Sequence, residues 1–118
     1  MSALTERLNP QEVVLRLAQI SRQLDAAQVE LANADEAAVR ARQRYEVAYS
    51  KALLTVEASN SDSRKAKATL DTATLKLDAE IADQQVRALR SRLSVLRDQV
   101  EIGRSLSAAL RSEWAVTN

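Results

Sequence analysis

From Val13 onward, apolar or small residues recur at alternating spacings of four and three: Val13, Leu17, Ile20, Leu24, Ala27, Leu31, Ala34, Ala38, Ala41, Tyr45, Ala48 and Ala52. That rhythm holds one stripe on one side of an α-helix and is the heptad signature of helices packed along a seam. A second series has the same spacing: Ala68, Thr72, Leu75, Ala79, Ala82, Val86, Leu89, Leu93, Leu96, Val100, Gly103, Ser107, Leu110 and Trp114. Between them lies Glu57-Ala58-Ser59-Asn60-Ser61-Asp62-Ser63, whose Ser, Asn and Asp residues favour turns and caps over helix interiors. Asn9 is suited to cap a helix beginning at Pro10, with Glu12 three residues on to complete a capping box.

The pattern predicts helices over about 10–57 and 61–114, a lead-in at 1–9, the turn region at 58–63 and a tail at 115–118. If the chain folds back near Asn60, the two series face one another: Leu17 meets Gly103, Ile20 meets Val100, Leu24 meets Leu96, Ala34 meets Val86 and Tyr45 meets Leu75. The expected fold is all-α: a long antiparallel two-helix coiled-coil hairpin, one domain over 1–118, roughly 70 Å long at ~1.5 Å per residue. On one flank of the seam Glu30–Arg92, Arg44–Asp78 and Lys51–Asp71 are candidate ion pairs. On the other, one offset sets Asp35 by Asp83 and Arg42 by Lys76; the next gives Asp35–Arg90 and Arg42–Asp83. The sequence leaves that choice open. Near the chain start, Leu4 and Leu8 are placed to fold against Trp114.

Composition supports the same reading. There is one glycine and one proline in 118 residues, so sheets, tight turns and phosphate loops lack their punctuation. Histidine and cysteine are absent, which removes imidazole and thiolate metal sites, disulfides, thiol nucleophiles and the usual general base near neutral pH. Asp78, Glu80 and Asp83 crowd one segment but read as a solvated face, so no metal is assigned. Ser105, Ser107 and Ser112 have no base and no glycine-flanked elbow. Neither a catalytic residue nor a cofactor-binding residue is expected, and the chain reads as non-enzymatic. Seventeen basic against sixteen acidic residues leave a net charge of +1, without the global basic field of a nonspecific nucleic-acid binder. No run of about 18 apolar residues is present and MSALTERLNP lacks the marks of a signal peptide, so the expected location is cytoplasmic, with no membrane partner.

Two surface features remain. Ile81, Ala88, Val95, Ile102 and Ala109 form a second apolar line at seven-residue spacing, away from the first seam, and near the turn Val47 and Leu54, with Leu53 and Val56, widen the apolar surface. These residues are the candidate oligomer or partner interface, and a helical bundle of several copies is the simplest use for them; scattered exposed apolar side chains are the ordinary alternative. Arg90, Arg97, Arg104 and Arg111 also recur every seven residues, a basic strip roughly 30 Å long. It suits phosphates or an acidic protein surface, although arginine stems commonly shield a helical seam with no ligand involved.

The segment VRALRSRLSVLRDQVEIGRSLSAALRSEW (86–114), together with RYEVAYSKALLTVEAS before the turn, resembles small helical proteins encoded by bacteriophages, especially those of actinobacteria. That family has no characterised function, and no functional residue carries over from it. The resemblance implies a phage product working in the host bacterial cytoplasm. The expected function is a coiled-coil interaction protein that forms a homo-oligomer and binds a protein partner, of unknown identity, as adaptor or inhibitor. The alternatives are a nucleic-acid-binding accessory protein of replication or recombination that uses the Arg strip, and a structural component of a virion or larger assembly.

Overall fold

A computed structural model of the protein describes residues 9–117, and among them the chain is all-helical, with no strand. Helix α1 spans Pro10–Thr55, α2 spans Ser61–Asp71 and α3 spans Ala73–Thr117. At the start of α1, Asn9 Oδ1 accepts from the Glu12 N–H at 2.9 Å, and the Val13 N–H reaches the Asn9 carbonyl at 3.2 Å. Pro10 occupies the first helical position, where a missing N–H leaves no bond unmade.

α1 stops at Thr55 rather than at 57. The Thr55 hydroxyl donates to the Lys51 carbonyl at 2.8 Å, and the Val56 N–H makes the last regular bond, to Ala52, at 2.9 Å. Residues 56–60 then form the connection, with no positive φ among the described residues. The expected turn at 58–63 is thus shifted towards α1, because Asn60 sits extended (φ −150°, ψ 173°) and caps α2 by accepting from the Ser63 N–H at 2.8 Å. α2 begins at Ser61, where the second helix was expected to begin, and Ser61, Asp62 and Ser63 form its first turn. The connection is tied down by Lys67, whose ammonium donates to the Glu57 carbonyl at 3.0 Å.

The single second helix expected over 61–114 is divided at Thr72, where φ −110° and ψ 10° leave the helical range. The Thr72 hydroxyl donates to the Ala68 carbonyl at 2.7 Å, the back-bonding that bends helices when Ser or Thr sits mid-helix. The Thr72 side chain is buried, so its own backbone satisfies a hydroxyl that water cannot reach. Main-chain bonds still cross the break, Thr72 N–H to Ala68 and Lys76 N–H to Thr72. α3 also continues past 114, to Thr117.

Contacts gather the chain into two compact units: a terminal unit of Met1–Val29 with Arg90–Asn118, and a turn unit of Glu30–Leu89. In the turn unit the chain folds back on itself, since Arg42 meets Asp83 and Lys67 meets Glu57. Its buried residues are mostly small: Ala38, Ala41, Ala68, Ala79 and Thr72, with Val86 the largest. In the terminal unit the buried set is bulkier: Val13, Ile20, Leu93, Leu96, Val100 and Leu110, with Ala27 and Ser107. All twelve positions of the first seam are buried or half-buried, and so are those of the second except Trp114, which is 47% exposed. Its expected partners Leu4 and Leu8 lie outside the described residues.

Burial predicts where the fold is sensitive. Leu93, 2% exposed, changed to Ala is expected to cost about 2–4 kcal/mol, whereas Leu70→Ala, at a site 76% exposed, should stay within about 0.5 kcal/mol of the parent. Urea unfolding followed by helical circular dichroism separates the two, and equal midpoints would contradict this core.

Candidate interaction surfaces

Helical periodicity assigns the exposed apolar residues to definite edges. In the terminal unit, Val95, Ile102 and Ala109 are all exposed on α3, Ile102 to 67% and Val95 to 54%. Val116 continues the line one heptad further, also exposed. Leu106 lies on the adjacent edge, four residues after Ile102 and three before Ala109, so these side chains form one face. Leu106 also borders a groove of about 200 Å³ with Val13, Leu17, Ile20 and Gly103, rimmed by Glu12 and Arg16. The heptad line taken alone passes over Leu106 and Val116; the spacing 102, 106, 109 was the available signal for Leu106.

Gly103 explains the floor of that groove. A Cβ built there would stand 2.5 Å from Leu17 Cδ2 and 3.1 Å from Leu17 Cγ, so the missing side chain is the space the leucine fills. The expected pairing of Leu17 with Gly103 is therefore present, with a large residue facing the smallest one.

In the turn unit, Ile81 and Ala88 are exposed on α3, as are Val47 and Leu54 on α1. Val47 lines a shallow apolar groove with Ala48 and Leu75, bordered by Gln43, Arg44 and Lys51. Leu54 is almost fully exposed in the last turn of α1, and Leu53 and Val56 are half-buried.

Charges fix the register that the sequence left open. Arg42 Nη2 donates to Asp83 Oδ1 at 2.7 Å, which selects the second of the two offsets on that flank. Arg44 with Asp78 and Lys51 with Asp71 are not among the ion pairs of the described residues. Arg40 pairs locally with Glu36 one turn away at 2.9 Å, and both side chains are largely exposed. Pairs this open to solvent contribute less than about 1 kcal/mol, so Arg42–Asp83 marks register more than it adds stability, and Arg40–Glu36, within one helix, bears on neither register nor packing.

The four arginines Arg90, Arg97, Arg104 and Arg111 are all exposed on α3 in the terminal unit. Arg97, Arg104 and Arg111 are in no ion pair among the described residues. Arg111 edges a shallow depression with Ala108, Ser112 and Ala115. The strip lies roughly 150° round α3 from the line through Val95 and Ile102, so the basic and apolar surfaces occupy opposite sides of one helix. Exposed Trp114 stands one turn beyond Arg111 on α3, while Tyr45 and Tyr49 contact each other in the turn unit, ring centroids 6.0 Å apart.

Among the described residues no group of three or more acidic side chains gathers as a metal cluster would, and no helix is long and apolar enough to cross a membrane. No protein-family model, curated protein or solved structure matches the chain. The resemblance to phage-encoded helical proteins consequently has only the quoted segments behind it.

The packing of Leu17 on Gly103 is open to a direct check. Gly103→Val places branched bulk where Leu17 lies and should destabilise by about 1–3 kcal/mol. In a Leu17→Ala background the same substitution should cost at least about 1 kcal/mol less, a coupling read from a double-mutant cycle of urea midpoints.

Proposed function

We propose that this protein is a non-enzymatic coiled-coil hairpin that self-associates into a helical bundle and acts by binding a protein partner, as adaptor or inhibitor. The observation that carries the reading is the open apolar face of α3 in the terminal unit, where Ile102 and Val95 stand 67% and 54% exposed in a line with Ala109 and Val116. A helix that buries one stripe on its neighbour and keeps a second stripe in water gains by covering it, at about 25 cal/mol per Å² of apolar surface removed from solvent. The chemistry-bearing residue types fit the non-enzymatic half of the proposal: with no histidine or cysteine, recognition rather than reaction is what such a surface offers. In the setting that the phage resemblance implies, the work is done in a bacterial cytoplasm.

A second reading follows from Arg97, Arg104 and Arg111. Three exposed guanidinium groups at seven-residue intervals, without carboxylate partners among the described residues, suit the phosphates of a nucleic acid, and several copies in a bundle would multiply weak contacts. This reading makes the protein an accessory factor of replication or recombination. The near-neutral total charge makes it the weaker of the two.

The two readings part in solution. Replacing Val95 and Ile102 together with Glu should lower the mass found by light scattering after size exclusion while helical circular dichroism stays near that of the parent; an unchanged mass removes this interface. For the second reading, a short duplex should be shifted at low salt, and the shift should fall steeply with ionic strength and with Arg97→Glu plus Arg104→Glu. No shift at low salt ends it.

A further inference from the structure

The apolar face of the terminal unit carries information about its own partner. Counting outward from Ile102 along α3, Val95 lies seven residues before and Ala109 seven after, while Arg92 lies ten before and Glu113 eleven after. Arg92 and Glu113 share the edge that holds Leu106, and both are exposed. A second α3 running antiparallel, with Ile102 on the two-fold axis, would bring Val95 opposite Ala109 and Ile102 opposite its own mate. Arg92 and Glu113 would then fall level to within one residue, roughly 1.5 Å along the helix. By symmetry that ion pair forms twice. The other edge brings Asp98 to within one residue of Ser105, a carboxylate beside a hydroxyl, so no like charges meet.

The parallel alternative is penalised at one of these residues. With the two helices side by side in one direction, each copy's Arg92 edge would face the other's Asp98 edge, and Glu113, only about 20° from the line through Ile102, would stand near its own mate, a like-charge contact. Bulk is complementary only in the antiparallel arrangement, where Val95 faces the small Ala109 rather than another valine. The strip of Arg97, Arg104 and Arg111 faces away from this contact, so it neither opposes the pairing nor is covered by it.

We propose that the occupant of this face is a second copy of the chain, docked α3 to α3 in antiparallel two-fold symmetry about Ile102, with Arg92 of each copy paired to Glu113 of the other. This deepens, and rests on, the proposal of self-association. A carboxylate accepts from several donors at once, so the pairing is compatible with other contacts of Glu113.

The test uses charge reversal and distance. Arg92→Glu alone, or Glu113→Arg alone, should weaken the dimer about tenfold in dissociation constant, equivalent to about 1.4 kcal/mol, and the double variant should recover most of that loss because each new pair is again opposite in sign. The chain has no cysteine, so spin labels at Ser94→Cys, Glu101→Cys and Ala108→Cys, all exposed and outside the line of Val95, Ile102 and Ala109, report single sites. Antiparallel pairing about Ile102 separates like labels along the helix by roughly 24 Å at position 94 and 18 Å at 108, but only about 3 Å at 101. The shortest intermolecular distance at 101 together with rescue by the double variant supports the proposal. Equal distances at all three sites, or a double variant no better than the singles, overturns the antiparallel register while leaving self-association standing. A monomeric mass with no intermolecular distance at any site overturns both.

Discussion

Two packed helices can shelter only one stripe each, and the properties of this protein follow from how its side chains are divided between that stripe and the rest. The seam takes Val, Leu, Ile and Ala at spacings of four and three, and the burial of those positions shows that it closes. What it cannot take is left in water: Val95, Ile102 and Val116 on one side of α3, and the arginines on the other. In a globule with a third layer the first group would be core. Here the same residues become surface, and their chemistry is available for recognition.

The two units use the seam differently. In the turn unit the fully buried positions are mostly alanines, which permit close approach of the backbones but remove little apolar area from water. Register there leans on directed polar contacts, the Arg42–Asp83 pair and the Lys67–Glu57 bond beside the Asn60 cap. In the terminal unit, leucines, isoleucine and valines supply most of the burial, and Gly103 gives way to Leu17. Hydrophobic burial is non-directional, so shape, a glycine against a leucine, has to do there what charge does near the turn.

The helices and the seam were legible in the sequence because periodicity survives any choice of partner: a stripe every three and four residues can face only one way. The cap at Asn9 was legible for an equally local reason, a side-chain oxygen three residues ahead of an unpaired N–H. Thr72 was not. Its spacing places it in the seam, which is correct, but periodicity says nothing about whether a buried hydroxyl turns back onto the Ala68 carbonyl and opens the helix at that residue. The end of α1 likewise falls at a threonine, with the Thr55 hydroxyl on the Lys51 carbonyl. Such bonds do not end a helix by themselves, since Thr69 makes the same one to Lys65 within α2, and a heptad pattern does not distinguish these sites.

Flanking charges were legible as a set but not as pairs, because long side chains reach either of two offsets and each offset gave one sensible list. The observed Arg42–Asp83 contact decides for its flank, and it does so by avoiding a carboxylate beside a carboxylate, Asp35 beside Asp83. The same avoidance separates the two ways of pairing α3 with a copy of itself. In the proposed antiparallel pairing Glu113 falls beside Arg92, whereas in a parallel one it would stand near its own mate. Apolar area alone would bind any greasy partner; the order of charges along its edges is what restricts the choice, since like charges brought together cost more than opposite charges in the same places return.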